Sequence, residues 1–242
     1  MRYKAICFDI DGTLYPAALM KRRILRLWLR HPVFSSRYNK ARRAFRLCQE
    51  NYRQSIPLRW REAMIIQNAS GEEPVNEFQK ERYSRTYGRL QKWFYEPMQR
   101  LYEKTKPFDG VPSTFATIKA HGLKIGVFTD FPLFGKLEGM GLDGYVDFSA
   151  SSDDVGFLKP DSHCFEYLLY NLKLERNDVL YVGDSYSKDI AGACNAGIDA
   201  VLVNVKQSEL RDAAERFPLA KEVFCNWKDF DAWLASGLEE RQ

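Results

Sequence analysis

The 242-residue chain has only five cysteines, Cys7, Cys48, Cys164, Cys194 and Cys225, and no Cys-X-X-Cys pair. An odd, unpatterned set argues against a disulfide framework and against a zinc site, and points to reduced thiols. Long hydrophobic runs are missing as well. Nothing approaches the roughly 20 apolar residues that cross a bilayer, so no membrane span is expected. Nor do the first residues read as a secretory leader, because Asp9 and Asp11 interrupt the short apolar run after Met1. These absences give a cytoplasmic location as the expectation. There is also no internal repeat and no low-complexity tract. What remains is an ordinary globular composition, 45% apolar and 28% charged, with enough chain for one large domain or two modest ones.

Charge is unevenly spread. Residues 16–106 carry 21 Lys and Arg against 8 Asp and Glu, a surplus of 13 positive charges; the remainder carries 15 against 24, a deficit of nine. A basic segment inside an acidic chain predicts two domains with different jobs. Outside 16–106 the text alternates strand-like and helix-like pieces. Apolar runs at 3–8, 123–129, 145–149, 179–182 and 200–203 read as strands, and 112–121, 132–140, 162–172, 188–196, 209–216 and 227–236 as helices. That alternation predicts an α/β fold, a Rossmann-like parallel sheet with helices on both faces, built from residues 1–15 and 107–242. Residues 16–106 show no strand-like alternation. Pro32, Pro57, Pro74 and Pro97 punctuate helical stretches at 17–30, 37–53, 58–67 and 75–94, which reads as an inserted all-helical cap domain.

Four short pieces, far apart in sequence, carry chemistry. Asp9-Ile10-Asp11-Gly12-Thr13 ends the first strand. Two residues apart on an extended segment, Asp9 and Asp11 share a side, at the strand tip where open α/β sheets bind ligands. Alone, the pair equally suits two solvated acids. Thr129-Asp130 ends the strand at 123–129, where a hydroxyl and neighbouring N–H groups suit an anionic oxygen. Lys159-Pro160 offers a point charge on a fixed backbone. Gly183-Asp184-Ser185, with Asp189 five residues beyond Asp184, brings two more carboxylates to the same sheet edge. Oxygen ligands without His or Cys suit a hard cation such as Mg²⁺. So many acids together repel one another unless a divalent ion and Lys159 neutralise them.

The ordered set Asp9-Ile10-Asp11-Gly12-Thr13-Leu14, Thr129, Lys159-Pro160 and Gly183-Asp184 with Asp189 closely resembles the haloacid dehalogenase-like (HAD) hydrolase superfamily. The resemblance spans the α/β core, and the run from Gly139 to Asp161 also matches the approach to the family's lysine. It implies roles position by position. Asp9 would be the nucleophile that forms an aspartyl-phosphate, and Asp11 the acid/base, its backbone carbonyl on the metal. Thr129 and Lys159 would hold phosphoryl oxygens, with Asp130 beside them in the substrate site. Asp9, Asp11 and Asp184 would bind Mg²⁺, with Asp189 in support. Asp130 stands where the family more often has asparagine.

The resemblance also admits several reactions. A dehalogenase has no need of a leaving-group acid, so Asp11 favours phosphate ester hydrolysis of a small phosphorylated metabolite. A transporting ATPase would need membrane spans. A phosphonatase would use a cap lysine as a Schiff base; Lys21 and Lys40 are present, and nothing marks either. A sugar-phosphate mutase shares all four motifs. The insertion lies where the family's C1-type helical cap lies, and such lids exclude water and select substrate. The basic run Lys21-Arg22-Arg23, Arg26, Arg30, interleaved with Leu25, Leu27, Trp28 and Leu29, reads as a solvated or packed helix face. Its other readings are a field that draws anionic substrates and a surface for nucleic acid, a membrane or a partner protein. Tyr83, Tyr87, Trp93, Phe94 and Tyr95 are expected in the cap core rather than on a base-stacking surface, and His31, the only cap histidine, as a surface or packing residue rather than a catalyst. The substrate itself and the oligomeric state are not legible.

Overall fold

A computed structural model of the chain describes residues 2–47, 56–67, 80–102 and 104–239. Six of its segments are strands: β1 (Ala5–Phe8), β2 (Lys124–Thr129), β3 (Phe148–Ser151), β4 (Val179–Gly183), β5 (Asp199–Leu202) and β6 (Glu222–Val223). All pair in parallel, in the order β3-β2-β1-β4-β5-β6. Phe8 lies opposite Val127 on one side and Val182 on the other, so the residues following β1, β2 and β4 emerge together at one edge. Strand order changes direction between β1 and β4, which opens the crevice where such sheets place ligands.

Among the described residues, the segment 16–106 holds five α-helices: α1 (Ala17–Trp28), α2 (Pro32–Leu47), α3 (Leu58–Gln67), α4 (Lys80–Leu90) and α5 (Glu96–Tyr102). The sheet is completed by α6 (Val111–Ala120), α7 (Lys136–Met140), α8 (Ser152–Val155), α9 (Ser162–Leu172), α10 (Ala191–Asn195), α11 (Ala213–Arg216) and α12 (Trp227–Glu239). Strand alternation sorts β1 between two cores. Ile6 and Phe8 pack with Phe115 of α6 and Leu234 of α12, whereas Ala5 and Cys7 pack with Phe165 and Leu168 of α9 and Ala193 of α10. Both faces are thereby covered, as a parallel sheet requires.

The observed elements depart from the sequence reading in several places. The second cap helix begins at Pro32, whose fixed φ suits a first helical position, rather than at 37; residues 48–53 lie outside the described residues. Residues 75–79 of the expected 75–94 helix also lie outside them. Beyond Leu90 the helix does not stop before Pro97. It widens into a π-helical turn at Gln91–Tyr95 and continues as α5, which accommodates a proline that cannot donate to the ladder. The expected helix at 132–140 shortens to α7 because Gly135 adopts φ +69°. β3 begins three residues later than expected and ends two later, and β6 and α8 are too short to leave a periodic signal. Cys7, Cys164, Cys194 and Cys225 are free thiols, Cys48 lying outside the described residues. Among the described residues no helix is long and apolar enough to cross a membrane.

The helical layer shares a continuous apolar core with one face of the sheet, Tyr38, Leu90 and Phe94 packing in the same cluster as Phe8 and Phe115, and it adds polar anchors of its own. Tyr83, Phe94 and Tyr95 are buried, and His31 stacks on Trp93 with ring centroids 4.1 Å apart. Inside it, the Arg42 guanidinium meets Glu62 at 2.5 Å with both side chains almost free of solvent, and the Tyr95 hydroxyl donates to the other Glu62 oxygen. Burial pushes the Glu62 carboxyl up in spite of Arg42. Toward the sheet, Arg42 donates to the Asp130 carbonyl at 3.0 Å, Arg46 pairs with the Asp130 carboxylate at 2.5 Å, and Arg59 pairs with Asp153 at 2.6 Å.

Truncating Arg42 leaves Glu62 as an uncompensated buried charge. Arg42→Ala is expected to destabilise the fold by about 3–5 kcal/mol, read as a lowered urea midpoint. The joint change Arg42→Met with Glu62→Met should cost much less; equal losses in both variants would reject the pairing as the cause.

Candidate active site

The site begins where β1 ends. The Asp9 N–H extends the ladder to the Val182 carbonyl at 3.0 Å, and Asp9 is only 5% exposed. The chain then turns at Gly12, with φ +106°. A Cβ there would lie 2.2 Å from Asp184 Oδ2, so the close approach of the two strand tips needs glycine. The returning loop is held by Thr13 and Leu14 N–H donations to the Ile10 carbonyl. Asn204 Nδ2 donates to the carbonyls of Gly12 and Thr13 at 2.8 and 3.0 Å, and Trp227 Nε1 donates to Thr13 at 3.1 Å. Thr13 Oγ1 donates to Asp9 Oδ2 at 3.1 Å.

Lys159 enters from the loop after α8 and is 1% exposed. Its ammonium lies 2.6 Å from Asp9 Oδ1 and 2.5 Å from Asp189 Oδ1, and it also donates to the Tyr181 hydroxyl at 3.1 Å. Burial disfavours that charge, but Asp189 and Asp9 outweigh it and hold the ammonium well above the usual lysine range. Asp189 is fixed by the Ser185 N–H at 3.0 Å and sits so close to Gly183 that a Cβ there would lie 2.3 Å from its own. Burial pushes the Asp189 carboxyl up against the pull of Lys159. Asp184, which faces the crevice, is pushed up by the protein packed around it and by the Asp9 charge.

Asp11 points the other way, into a second cluster. Its Oδ2 accepts from Thr129 Oγ1 and Lys136 Nζ, each at 2.7 Å, and its Oδ1 accepts from the Tyr15 hydroxyl. Lys136 is wholly buried, with its ammonium 4.2 Å from the Tyr102 ring centroid. Burial pulls the Lys136 pKa down. Burial would raise that of Asp11, but the Lys136 charge and the three donors outweigh it and hold the carboxyl below its usual value.

Thr129, read in sequence as a phosphoryl ligand, thus directs its hydroxyl to Asp11. Asp130, read as substrate-binding, has its carboxylate engaged by Arg46, by the Lys159 N–H at 3.0 Å and by Ser152 Oγ at 3.3 Å. A guanidinium partner calls for a carboxylate, which accounts physically for Asp at this position rather than Asn. Asp9, Asp184 and Asp189 offer carboxylate oxygens within 4.8 Å of one another. The Asp184 carboxylate makes no hydrogen bond or ion pair among the described residues, and an all-oxygen set with one free, crowded anion fits a hard divalent cation. Asp11 adds no side-chain oxygen to that set. Above these residues opens a cavity of about 310 Å³ with Asp9, Asp11, Lys159 and Asp184 on its floor and α1 along one wall.

A family model described as haloacid dehalogenase-like hydrolase matches residues 3–197. A glyceraldehyde 3-phosphate phosphatase of Methanothermobacter thermautotrophicus is 34% identical over 115 residues, 46% of this chain and 51% of that protein. The chain thus spans about half the length of that relative. A protein of the same name from Methanopyrus kandleri is 25% identical over 235 residues, 88% of each chain. Among solved structures, a 2-haloacid dehalogenase from Pseudomonas syringae superposes with a TM-score of 0.60 at 23% identity, covering 97% of this chain and 99% of that one, a likeness of fold.

Asp130 yields a pH test. Its carboxyl is pulled from 3.8 to about 2: burial opposes, but Lys159, Arg46 and Arg42 prevail. A folded pKa below the unfolded one gives stability that is fully present above about pH 4 and lost as pH falls from 4 toward 2. Between pH 5 and pH 3 the native protein should therefore lose about 1 kcal/mol more than Asp130→Asn. Urea melts at the two pH values measure it, and equal acid sensitivity would contradict the assignment.

Proposed function

The chain belongs to the haloacid dehalogenase-like hydrolase family, and on that premise we propose that it is a Mg²⁺-dependent phosphatase acting on a small phosphorylated metabolite through an aspartyl-phosphate on Asp9. One observation carries the choice of reaction. Asp11 holds a second carboxylate on the same cavity floor as Asp9, pinned by Lys136, Thr129 and Tyr15. Displacement of halide needs no such group; expulsion of an alcohol does. The phosphatases among the relatives support the same reading.

In this reaction Asp9 Oδ attacks phosphorus in line with the ester oxygen. The P–O bond to the alcohol breaks as the P–O bond to Asp9 forms, and Asp11 delivers a proton to the departing oxygen. Asp11, now ionised, takes a proton from water, which attacks the acyl phosphate and releases phosphate and free Asp9. Lys159 orients the Asp9 carboxylate and offsets charge on the phosphoryl oxygens. Asp9 and Asp184, with the Asp11 backbone carbonyl, would hold Mg²⁺ and Asp189 would steady them. The cation would supply the charge neutralisation that phosphoryl transfer requires. Lys136 touches no reacting atom; it positions Asp11.

A panel of phosphate esters assayed with and without Mg²⁺ tests the reaction. Phosphate release should vanish in EDTA and fall at least about 10³-fold in Asp9→Asn; release that survives either change would falsify the proposal. Asp11→Asn is expected to slow alkyl phosphates about 10²–10⁴-fold and aryl phosphates, whose leaving groups need no proton, much less.

Lys136→Met should reproduce the Asp11→Asn pattern in weaker form, lowering the alkyl-to-aryl ratio of kcat by about tenfold, while Lys136→Arg retains it. An unchanged ratio in Lys136→Met, measured on protein that still melts cooperatively, would show that the buried ammonium serves stability alone.

A further inference from the structure

Two cations on the walls of the cavity have no part in the reaction just described. Lys21 lies on α1, and Lys188 lies in the turn that follows β4. Among the described residues neither forms a hydrogen bond or a salt bridge. Both charges reach Asp184 without pairing with it. The other basic residues of α1, namely Arg22, Arg23 and Arg26, do not line the cavity.

Helical spacing explains why Lys21 alone does. Ala17, Met20, Lys21 and Ile24 stand at i, i+3, i+4 and i+7, so α1 presents one face to the cavity, three small or apolar side chains with a single ammonium among them. Of the acids that line the cavity, Asp11 is committed to three donors, Asp130 to Arg46, and Asp9 and Asp189 to Lys159, which leaves Asp184, in the proposed metal set, as the one carboxylate without a partner among the described residues. A cationic tail on the substrate would find two ammonium groups and no free carboxylate away from the reacting phosphoryl group. A neutral tail would gain only apolar contact. A second anion would meet Lys21 from the cap side and Lys188 from the core side. The cavity of about 310 Å³ sits at the small end of ligand sites, which limits the carbon skeleton between the two anions to a few atoms.

We propose that Lys21 and Lys188 form a second anion subsite, so that the preferred substrates are short phosphate monoesters whose alcohol part carries a further carboxylate or phosphate. This rests on the phosphatase reading above and names the substrate class of the same site. It also joins the two domains in recognition, since one lysine comes from each.

Three esters of the same carbon count test it: glycerol 3-phosphate with a neutral tail, 3-phosphoglycerate with a carboxylate, and glycerol 1,3-bisphosphate with a second phosphate. The native enzyme should show kcat/KM at least about tenfold higher for one or both charged-tail esters than for glycerol 3-phosphate. Which charged ester leads distinguishes carboxylate from phosphate as the second anion. Lys21→Met and Lys188→Met should each lower that ratio several-fold, chiefly through KM, and Lys21→Arg should keep it. Equal efficiency on all three esters, or a ratio unmoved in both Met variants, overturns the subsite and leaves the phosphatase reading intact. Hydrolysis of none of the three, nor of an aryl phosphate, overturns the phosphatase reading and the subsite with it.

Discussion

The arrangement depends on one ammonium group. Lys159 is buried between Asp9 and Asp189 at 2.6 and 2.5 Å, with the Tyr181 hydroxyl as a third partner. The parallel sheet brings acids from β1 and β4 to adjacent tips, and a buried carboxylate without a counter-charge costs several kcal/mol or gives up its charge. Lys159 makes that proximity tolerable. It comes from the far side of β3, 150 residues from Asp9 in sequence, so the charge that stabilises the tips also fixes the loop carrying it. Its own backbone N–H continues the connection to Asp130. A fully satisfied polar network of this kind is rigid, because each partner it loses leaves another buried group unpaired.

Asp130 extends that network into the helical domain, and this changes the meaning of the charge asymmetry. The surplus of positive charge in residues 16–106 invites a reading as a nucleic-acid or membrane footprint. Part of it does another job. Arg42 and Arg46 grip the two ends of Asp130, Arg59 grips Asp153, and Arg42 also neutralises Glu62 inside the helical layer. Basic cap and acidic core are complementary because they dock on each other. The docking point is the residue next to Thr129 and within hydrogen-bond reach of Lys159, so the position of the helical domain and the order of the reacting groups share a side chain.

The fold was legible wherever a pattern was local. Apolar runs ended by Gly or Asp marked β1, β2 and β4, and the i, i+2 spacing of Asp9 and Asp11 put both at one tip. The family resemblance added the chemistry. What stayed hidden was pairing at long range. Nothing in Phe134-Gly135-Lys136-Leu137 distinguishes a surface lysine from one that is wholly buried, because its partner Asp11 lies 125 residues away. Asn204 and Trp227 clamp the Gly12–Thr13 turn from the end of the sheet by the same kind of unreadable contact. Asp130 looked like a deviation from a motif until Arg46 supplied its reason. The π-helical turn before Pro97 and the two-residue β6 are invisible for a simpler cause: neither is long enough to impose a period.

In the proposed reaction the two buried lysines divide the labour of the two acids. Lys159 is shared by two carboxylates, so its proton is secure and its charge holds Asp9 in place. Lys136 faces a single carboxylate in a dry pocket, and burial works against its charge. Asp11 is therefore held ionised by a partner that is itself under strain from desolvation. Two strong donors occupy Oδ2, so the oxygen left to carry a proton is Oδ1, where only the Tyr15 hydroxyl competes. In the proposed reaction a phosphate ester adds negative charge beside that oxygen, which raises the affinity of Asp11 for a proton and favours the acid form only when substrate is present. On that proposal, the place where one lysine is buried would thus let Asp11 rest ionised on an empty floor and gain its proton with the substrate.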